Sequence, residues 1–391
     1  MGPEAAHLRV RLTPHAARLA KRSSAVAAQL LPSDREQESD AFESTVQPCA
    51  GKADSMVPGF ERLYEDRVLL RVTDACAAHC RFCFERNEGE ENGFPLGLHG
   101  TWEIPASAVA QAVERLRAAP EVRSVTVSGG SPLLLGEERL LGIVRALADV
   151  DTIRQIYVAM SRPIFTPELW TSSLARGLAA LSRSDPSHPR DSRRVAASVH
   201  INHPDELTEA PEVVEALDRF VRAGVPLYNQ TTLLRGINDE ADVLEDLHSL
   251  LVANGVLPYY LVHCMPIRGA GHFRTTVQRG IDILRCLERS SGHERPHYIV
   301  VTEAGKVQLC STSALRYEAI EGRRFVVLPT PYPTASFLRY EVTDRLPPLC
   351  RDECGLITAR YLDGAQDVPV GTTGAMSSPI LSAPSPVMGS Q

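Results

Sequence analysis

From Arg67 onward, short apolar runs alternate with longer amphipathic stretches. The run Arg67-Val-Leu-Leu-Arg-Val-Thr73 is rich in branched and long apolar side chains and reads as a buried strand. Similar runs recur at 123–128, 153–160, 195–201, 226–234 and 256–263. Between them, apolar positions fall at helical spacing near 105–118, 137–149, 167–180, 206–223, 239–253 and 274–289. Six strand–helix units in succession imply an α/β fold with a parallel sheet and right-handed crossovers, packed as a closed or partial (β/α)6 barrel of the TIM type. The pattern then changes to short strands near 296–301, 307–310 and 325–328, which read as a separate cap or an extension of the sheet.

Ahead of the barrel, Thr13-Pro14-His15 marks a helix start, with Thr13 as N-cap and Pro14 in the first turn. The polar stretch from Ser33 to Ser44 reads as loosely ordered. From Asp363 onward Pro, Ser, Gly and Thr dominate, as in a disordered tail. The expected organisation is an N-terminal helical and flexible segment over 1–60, a barrel over 61–290, an extension over 291–360 and a tail over 361–391.

Composition narrows the function classes. With 391 residues and 43% hydrophobic content the chain can bury a large core, and a net charge of −7 supplies no attraction for nucleic acid or an anionic membrane. No apolar run approaches the roughly 20 residues of a membrane span, and the N-terminus lacks the layout of a signal peptide. A cytoplasmic protein is expected. Nine cysteines in a chain of this length are not a disulfide scaffold.

Three of those cysteines carry the chemistry. In Cys76-Ala-Ala-His-Cys80-Arg-Phe-Cys83 the spacing offers three thiolates within one short loop. Iron–sulfur clusters take soft thiolate ligands, ordinarily four. Three ligands on a cubane of four irons leave one iron open, where S-adenosylmethionine (SAM) can bind. Zinc sites instead pair Cys-x2-Cys with a second pair or with histidines. The loop follows the first barrel strand, at the C-terminal mouth where such folds place their chemistry.

Other polar residues gather at strand ends. Ser128-Gly129-Gly130-Ser131-Pro132 closes the second strand, where glycines let backbone approach a ligand. Arg162 ends the third strand, His200, Asn202 and His203 end the fourth, and Asn229 and Gln230 lie within the fifth. Lys306 occupies a turn between two short strands, the usual place of a solvated tip; directed into the barrel mouth, its amine can react with an aldehyde cofactor. Tyr64 and Arg67 suit that cofactor's phosphate.

Together these strings resemble the lysine 2,3-aminomutase family of radical SAM enzymes, over about Val57 to Pro333. The similarity rests on Val57-Pro-Gly-Phe60, Tyr64-Glu-Asp-Arg-Val-Leu-Leu70, the cysteine loop, Ser128-Gly-Gly130, Ser161-Arg162, Asn202-His-Pro204, Gly224-Val-Pro-Leu-Tyr-Asn-Gln-Thr231, Leu234-Arg-Gly-Ile-Asn-Asp239, Pro258-Tyr-Tyr260 and Gly271-His-Phe-Arg-Thr275, in common order and spacing. The resemblance implies a radical SAM barrel with a 4Fe-4S cluster on Cys76, Cys80 and Cys83, and SAM contacts around Gly129, Gly130, Ser131 and Gln230. It also implies pyridoxal phosphate (PLP) held by Tyr64, Arg67 and Arg162, with Lys306 as its internal aldimine. The implied partners are a small amino-acid substrate and a low-potential electron donor such as flavodoxin or ferredoxin. Homo-oligomerisation is left open.

The departures concern substrate. Glu85 stands where lysine-acting members use an arginine for the substrate carboxylate, so either Arg86 takes that role or the substrate is turned. Met265 occupies the place of one carboxylate that would bind lysine's distal ammonium, and the other falls in a shortened segment around Val301 and Thr302. A buried side-chain cation would lack a partner, which argues against lysine. Ser131 replaces an expected acid, the glycine run before Lys306 shrinks to Ala304-Gly305, and only Cys350 and Cys354 remain of a C-terminal zinc-binding group. The leading expectation is a PLP-dependent radical SAM 2,3-aminomutase-like isomerase for an amino acid other than lysine. Two readings compete with it: a radical SAM desaturase, epimerase or eliminase on an amino-acid-derived substrate, with or without PLP, and a degenerate, non-catalytic small-molecule binder.

Overall fold

The computed structural model describes residues 9–364 except 39, 41, 44–56, 87–88, 92–93, 97–99 and 342, with 86, 89–91 and 94–96 described by backbone alone. Two short helices come first, α1 (Pro14–Arg22) and α2 (Ser24–Leu30). The Thr13 hydroxyl accepts from the Ala16 N–H at 3.1 Å, as the sequence led us to expect, and Ser23 caps α2 in the same way.

The expected barrel is present. Strands β1 (Phe60–Tyr64) and β2 (Arg67–Thr73) are followed by a small hairpin, β3 (Gly89–Glu91) and β4 (Phe94–Leu96). Then come α3 (Ala106–Arg117), β5 (Ser124–Gly129), α4 (Glu137–Ala148), β6 (Gln155–Ala159), α5 (Ser172–Ala180), β7 (Arg194–Val199), α6 (Asp205–Thr208), α7 (Pro211–Arg222), β8 (Leu227–Leu233), α8 (Ala241–Ala253), β9 (Val256–His263), α9 (Val277–Leu287), β10 (His297–Thr302) and β11 (Gly305–Leu309). The nine-stranded sheet has the order β1-β2-β5-β6-β7-β8-β9-β10-β11. Strands β2 and β5 to β10 run parallel, while β1 and β11 pair antiparallel at the two edges. Of the two expected readings, the runs at 296–301 and 307–310 follow the extension of the sheet, as the parallel strand β10 and the edge strand β11. Among the described residues no helix is long and apolar enough to cross a membrane.

A second, antiparallel sheet follows, with β12 (Arg316–Ile320), β13 (Arg323–Pro333), helix α10 (Thr334–Tyr340), β14 (Cys350–Glu353) and β15 (Leu356–Leu362) in the order β12-β13-β15-β14. Strand β13 carries three prolines and its register slips between Pro329 and Pro333, because proline removes ladder donors. Helix α10 packs against β1, so this sheet braces one edge of the barrel.

Two expectations about order are corrected. Within Ser33 to Ser44, residues Asp34–Gln37 form a 3-10 turn with a capping box, and Glu36 is buried in a bidentate pair with Arg81 at 2.6 and 2.7 Å. At the C-terminal end, β15 continues through Leu362 and Asp363 is fully buried, accepting from the Val277 N–H at 2.8 Å and pairing with Arg324 at 2.9 Å. The expected start of the tail at 361 thus falls inside the packed sheet; residues 365–391 lie outside the described residues.

Candidate active site

Alternation along the barrel strands decides which residues meet. In a strand, successive side chains point to opposite faces. In β5, Val125 and Val127 pack outward into the core, while Ser124, Thr126 and Ser128 line the interior. In β6 the inward set is Gln155, Tyr157 and Ala159, and in β8 it is Tyr228, Gln230 and Thr232. These small and polar side chains do not fill the barrel as layers of Val, Ile and Leu would. A cavity of about 430 Å³ results, running from the cysteine loop at the C-terminal ends of the strands to Ser124, Gln155 and Tyr228 near their starts.

Cys76, Cys80 and Cys83 all line this cavity. Burial foremost, then Cys80 and Glu85, pushes the Cys76 thiol up; Cys83 is raised well above its ordinary value by burial, Cys80 and Cys76. Thiolates so placed are costly unless a cationic centre shares them, so the donor set fits iron. Among the described residues no three His, Cys, Asp or Glu side chains converge as ligands of a single ion. A cubane spreads its thiolates over separate irons and does not need that convergence.

The N-terminal segment straps this loop down. The Arg81 N–H donates to the Gln29 carbonyl, the His79 N–H to the Arg11 carbonyl, and the Arg81 guanidinium to Glu36. Gln29 also accepts from Arg162 at 2.9 Å and from the Asn202 amide at 3.0 Å. Neither Gln29 nor Glu36 was singled out from the sequence: each is one polar residue in a short helical or polar stretch, and its partner lies far along the chain.

The glycine pair braces the same loop. A Cβ at Gly129 would lie 2.2 Å from the Thr73 carbonyl oxygen, and one at Gly130 would lie 2.3 Å from that of Ala75. The Gly130 N–H donates to Thr73 and the Ser131 N–H to Ala75, both at 2.7 Å. The glycines line the cavity, but these two N–H groups are spent on the chain itself. Ser131 is buried beside the cavity-lining Gly130 and does not itself line the cavity. Gln230 does line the cavity, with its backbone beside the His200 ring.

Lys306 lies on the inner wall at the seam of the barrel. Its backbone N–H donates to the Tyr64 hydroxyl at 3.1 Å across 242 residues of sequence, and its carbonyl accepts from Tyr332 at 2.7 Å. Its Nζ lies 4.8 Å from the centre of the Tyr260 ring, and the Arg67 guanidinium lies 4.5 Å over the Tyr64 ring. Tyr64, Arg67, Tyr260 and Lys306 all line the cavity. An amine, a phenol and an arginine at one wall fit an anionic aldehyde such as PLP.

The remaining candidates divide. His200 lines the cavity; burial, then Arg162, lowers its pKa to about 4, so it is neutral at pH 7. Asn202, His203 and Asn229 do not line it. Asn229 bonds the Ile201 backbone, Asn202 holds Gln29 and the Thr232 N–H, and His203 accepts from the Asp205 N–H. Arg162 lines the cavity, yet its partners belong to the cysteine end: Glu206 at 2.7 Å, Gln29 and the Cys80 sulfur. Glu85 lines it too, but is ion-paired with Arg71, which also holds Glu61. One guanidinium shared by two carboxylates offsets the expected repulsion of a substrate carboxylate only in part. Met265 lines the cavity beside an apolar cluster containing Ile267 and Phe273, and the Arg86 side chain lies outside the described residues.

Sequence comparison relates the chain to known proteins. The profile of the radical SAM superfamily matches residues 70–247. A lysine 2,3-aminomutase-type protein of Aquifex aeolicus is 34% identical over 268 residues, 68% of this chain and 67% of its own. The L-lysine 2,3-aminomutase of Fusobacterium nucleatum is 34% identical over 303 residues, 76% of this chain and 66% of its own. The glutamate 2,3-aminomutase of Clostridioides difficile is 31% identical over 273 residues, 69% of this chain and 58% of its own. The chain thus spans about three fifths to two thirds of these relatives. Among solved structures, a radical SAM methyltransferase from Sphaerobacter thermophilus superposes over 62% of this chain and 67% of its own, at 18% identity and a TM-score of 0.41.

Proposed function

Because the chain belongs to the lysine 2,3-aminomutase family of radical SAM enzymes, we propose that it rearranges an amino acid other than lysine, using a 4Fe-4S cluster on Cys76, Cys80 and Cys83, SAM on the open iron, and PLP on Lys306. The observation that carries the reading is the placement of those three thiols and the Lys306 amine on the walls of one cavity. When bound, the cluster would supply the electron that cleaves SAM to a 5′-deoxyadenosyl radical, and PLP a carbonyl carbon through which nitrogen can shift between neighbouring carbons.

The chain's own residues then bind, orient and exclude water. Lys306 offers the amine, held in register by Tyr64 and Tyr332. Arg67 offers a cation for a phosphate, and its guanidinium is steadied by Asp66 at 2.9 Å. The N-terminal strap covers the cysteine loop, and Phe82 and Phe84 add apolar wall, which limits water at the reacting centre. His200, neutral at pH 7, contributes a polar edge without a charge.

Met265 carries the argument on substrate. Its thioether presents an apolar wall, and a lysine ammonium placed there would be desolvated without compensation. That a relative acts, by its name, on glutamate indicates a family not confined to lysine. The reducing electron would come from a flavodoxin- or ferredoxin-type donor.

The test is protein purified without oxygen, treated with PLP and borohydride, and mapped by peptide. A pyridoxyl label on Lys306 is expected. A label on another lysine, or none on protein that still turns over amino acid, removes PLP from the reading. Cys80→Ala should lose SAM cleavage, and full cleavage by that variant would refute the cluster assignment.

A further inference from the structure

Arg162 is matched by the resemblance to a PLP contact, but the structure puts its guanidinium to other use. Nη1 lies 3.5 Å from the Cys80 sulfur. Nη2 is held by Glu206 at 2.7 Å and by Gln29 at 2.9 Å. Glu206 is fully buried and is itself fixed, accepting from the Asn202 N–H at 3.0 Å and from the Gln29 amide at 3.4 Å. Gln29, on α2, in turn accepts from the Asn202 amide. Two segments distant in sequence, α2 and the stretch from Asn202 to Glu206, therefore aim one planar fork at one thiol.

The backbone supports the same aim. Ser161, just before Arg162, adopts φ 64°, a left-handed conformation uncommon for a residue with a Cβ. Strain of this kind persists only where the surroundings over-determine it, and it is found at functional sites. Here the Ser161 carbonyl accepts from the His200 N–H at 3.2 Å, which fixes the turn that delivers Arg162.

We propose that Arg162 is a positioning residue for the cluster: it donates an N–H···S hydrogen bond to the Cys80 ligand and so raises the cluster's reduction potential, with Glu206 and Gln29 setting its orientation. The inference rests on the cluster reading above. Hydrogen bonds to ligand sulfurs, and cations beside them, favour the more negative, reduced cluster. In an enzyme that must accept an electron from an external donor, such a contact eases the first step. Arginine suits the task because it stays charged and can serve sulfur, carboxylate and amide from one rigid plane.

The experiment is anaerobic potentiometric titration of the reconstituted 4Fe-4S protein, followed by electron paramagnetic resonance, with dithionite as reductant. Arg162→Lys keeps a charge for Glu206 but loses the fork. The double variant Arg162→Met/Glu206→Met removes both charges together, so that neither is left buried alone. Both should titrate at a more negative midpoint than wild type, and PLP labelling of Lys306 should match wild type. A purely packing role would leave the potential unmoved. An unchanged midpoint in both variants overturns the proposal, and so does a loss of PLP binding with an unchanged midpoint, which would return Arg162 to the cofactor phosphate. If wild-type protein assembles no cluster, the radical SAM reading fails and the role of Arg162 falls with it.

Discussion

Gly130→Ala and Gly142→Ala make the same chemical change with opposite expected signs. At Gly130 the added methyl would sit 2.3 Å from the Ala75 carbonyl oxygen, one residue before Cys76. Ordinary contact is roughly 1 Å longer, and backbone cannot swing aside as a side-chain tip can. Moving the loop by about 1 Å would stretch the two 2.7 Å hydrogen bonds across this contact to about 3.7 Å, beyond bonding range. Two lost bonds at about 1 kcal/mol each, with about 1–3 kcal/mol of overpacking, give a loss of about 3–5 kcal/mol. The loop that moves carries the thiols, so cluster assembly should fall as well. At Gly142, on the exposed face of α4, nothing lies within 4 Å of the new methyl, and alanine should stabilise by about 0.5–1 kcal/mol. The assays are the urea midpoint of the cluster-free protein and the iron content after reconstitution. If Gly130→Ala unfolds at the wild-type midpoint and takes up its full iron, the close-approach reasoning is wrong.

Three further outcomes are expected. Glu36→Gln removes the carboxylate that holds Arg81 between Cys80 and Cys83, at a cost of about 3 kcal/mol for breaking a buried pair; limited proteolysis should cut the N-terminal segment sooner, and wild-type resistance would contradict the strap. Burial lowers the His248 pKa to about 4 from 6.5, so the unfolded chain takes up the proton first: the stabilisation is complete above about pH 6.5 and is lost as pH falls toward 4, by at most about 3 kcal/mol. His248→Leu should therefore lose less stability between pH 7 and pH 4 than wild type does, and equal loss in denaturant titrations would refute the effect. Met265→Asp introduces a carboxylate into the cavity wall and should raise the turnover of lysine relative to a neutral amino acid by about tenfold or more; an unchanged ratio would show that Met265 does not face the side chain.

The strand–helix alternation, the cysteine loop and its place after the first parallel strand were legible along the chain, because period, length and ligand spacing are local properties. The second sheet was largely not: β12 and β14 are short and largely solvent-exposed, and β13 contains three prolines, so their pairing depends on partners far away in sequence. Pattern brought polar residues to the strand ends, but only the phase of each strand separated Gln230, which faces the cavity, from Asn229, which ties neighbouring strands together. The seam follows the same logic. The order of strands in the sheet brings Tyr64 to Lys306 across 242 residues, and the docking of α2 places Gln29 between Arg162 and Asn202. Ligand identity at the cysteines was written in spacing; the partner of each buried charge was decided by packing, because a guanidinium or carboxylate taken out of water is stable only where a distant segment delivers its counterpart.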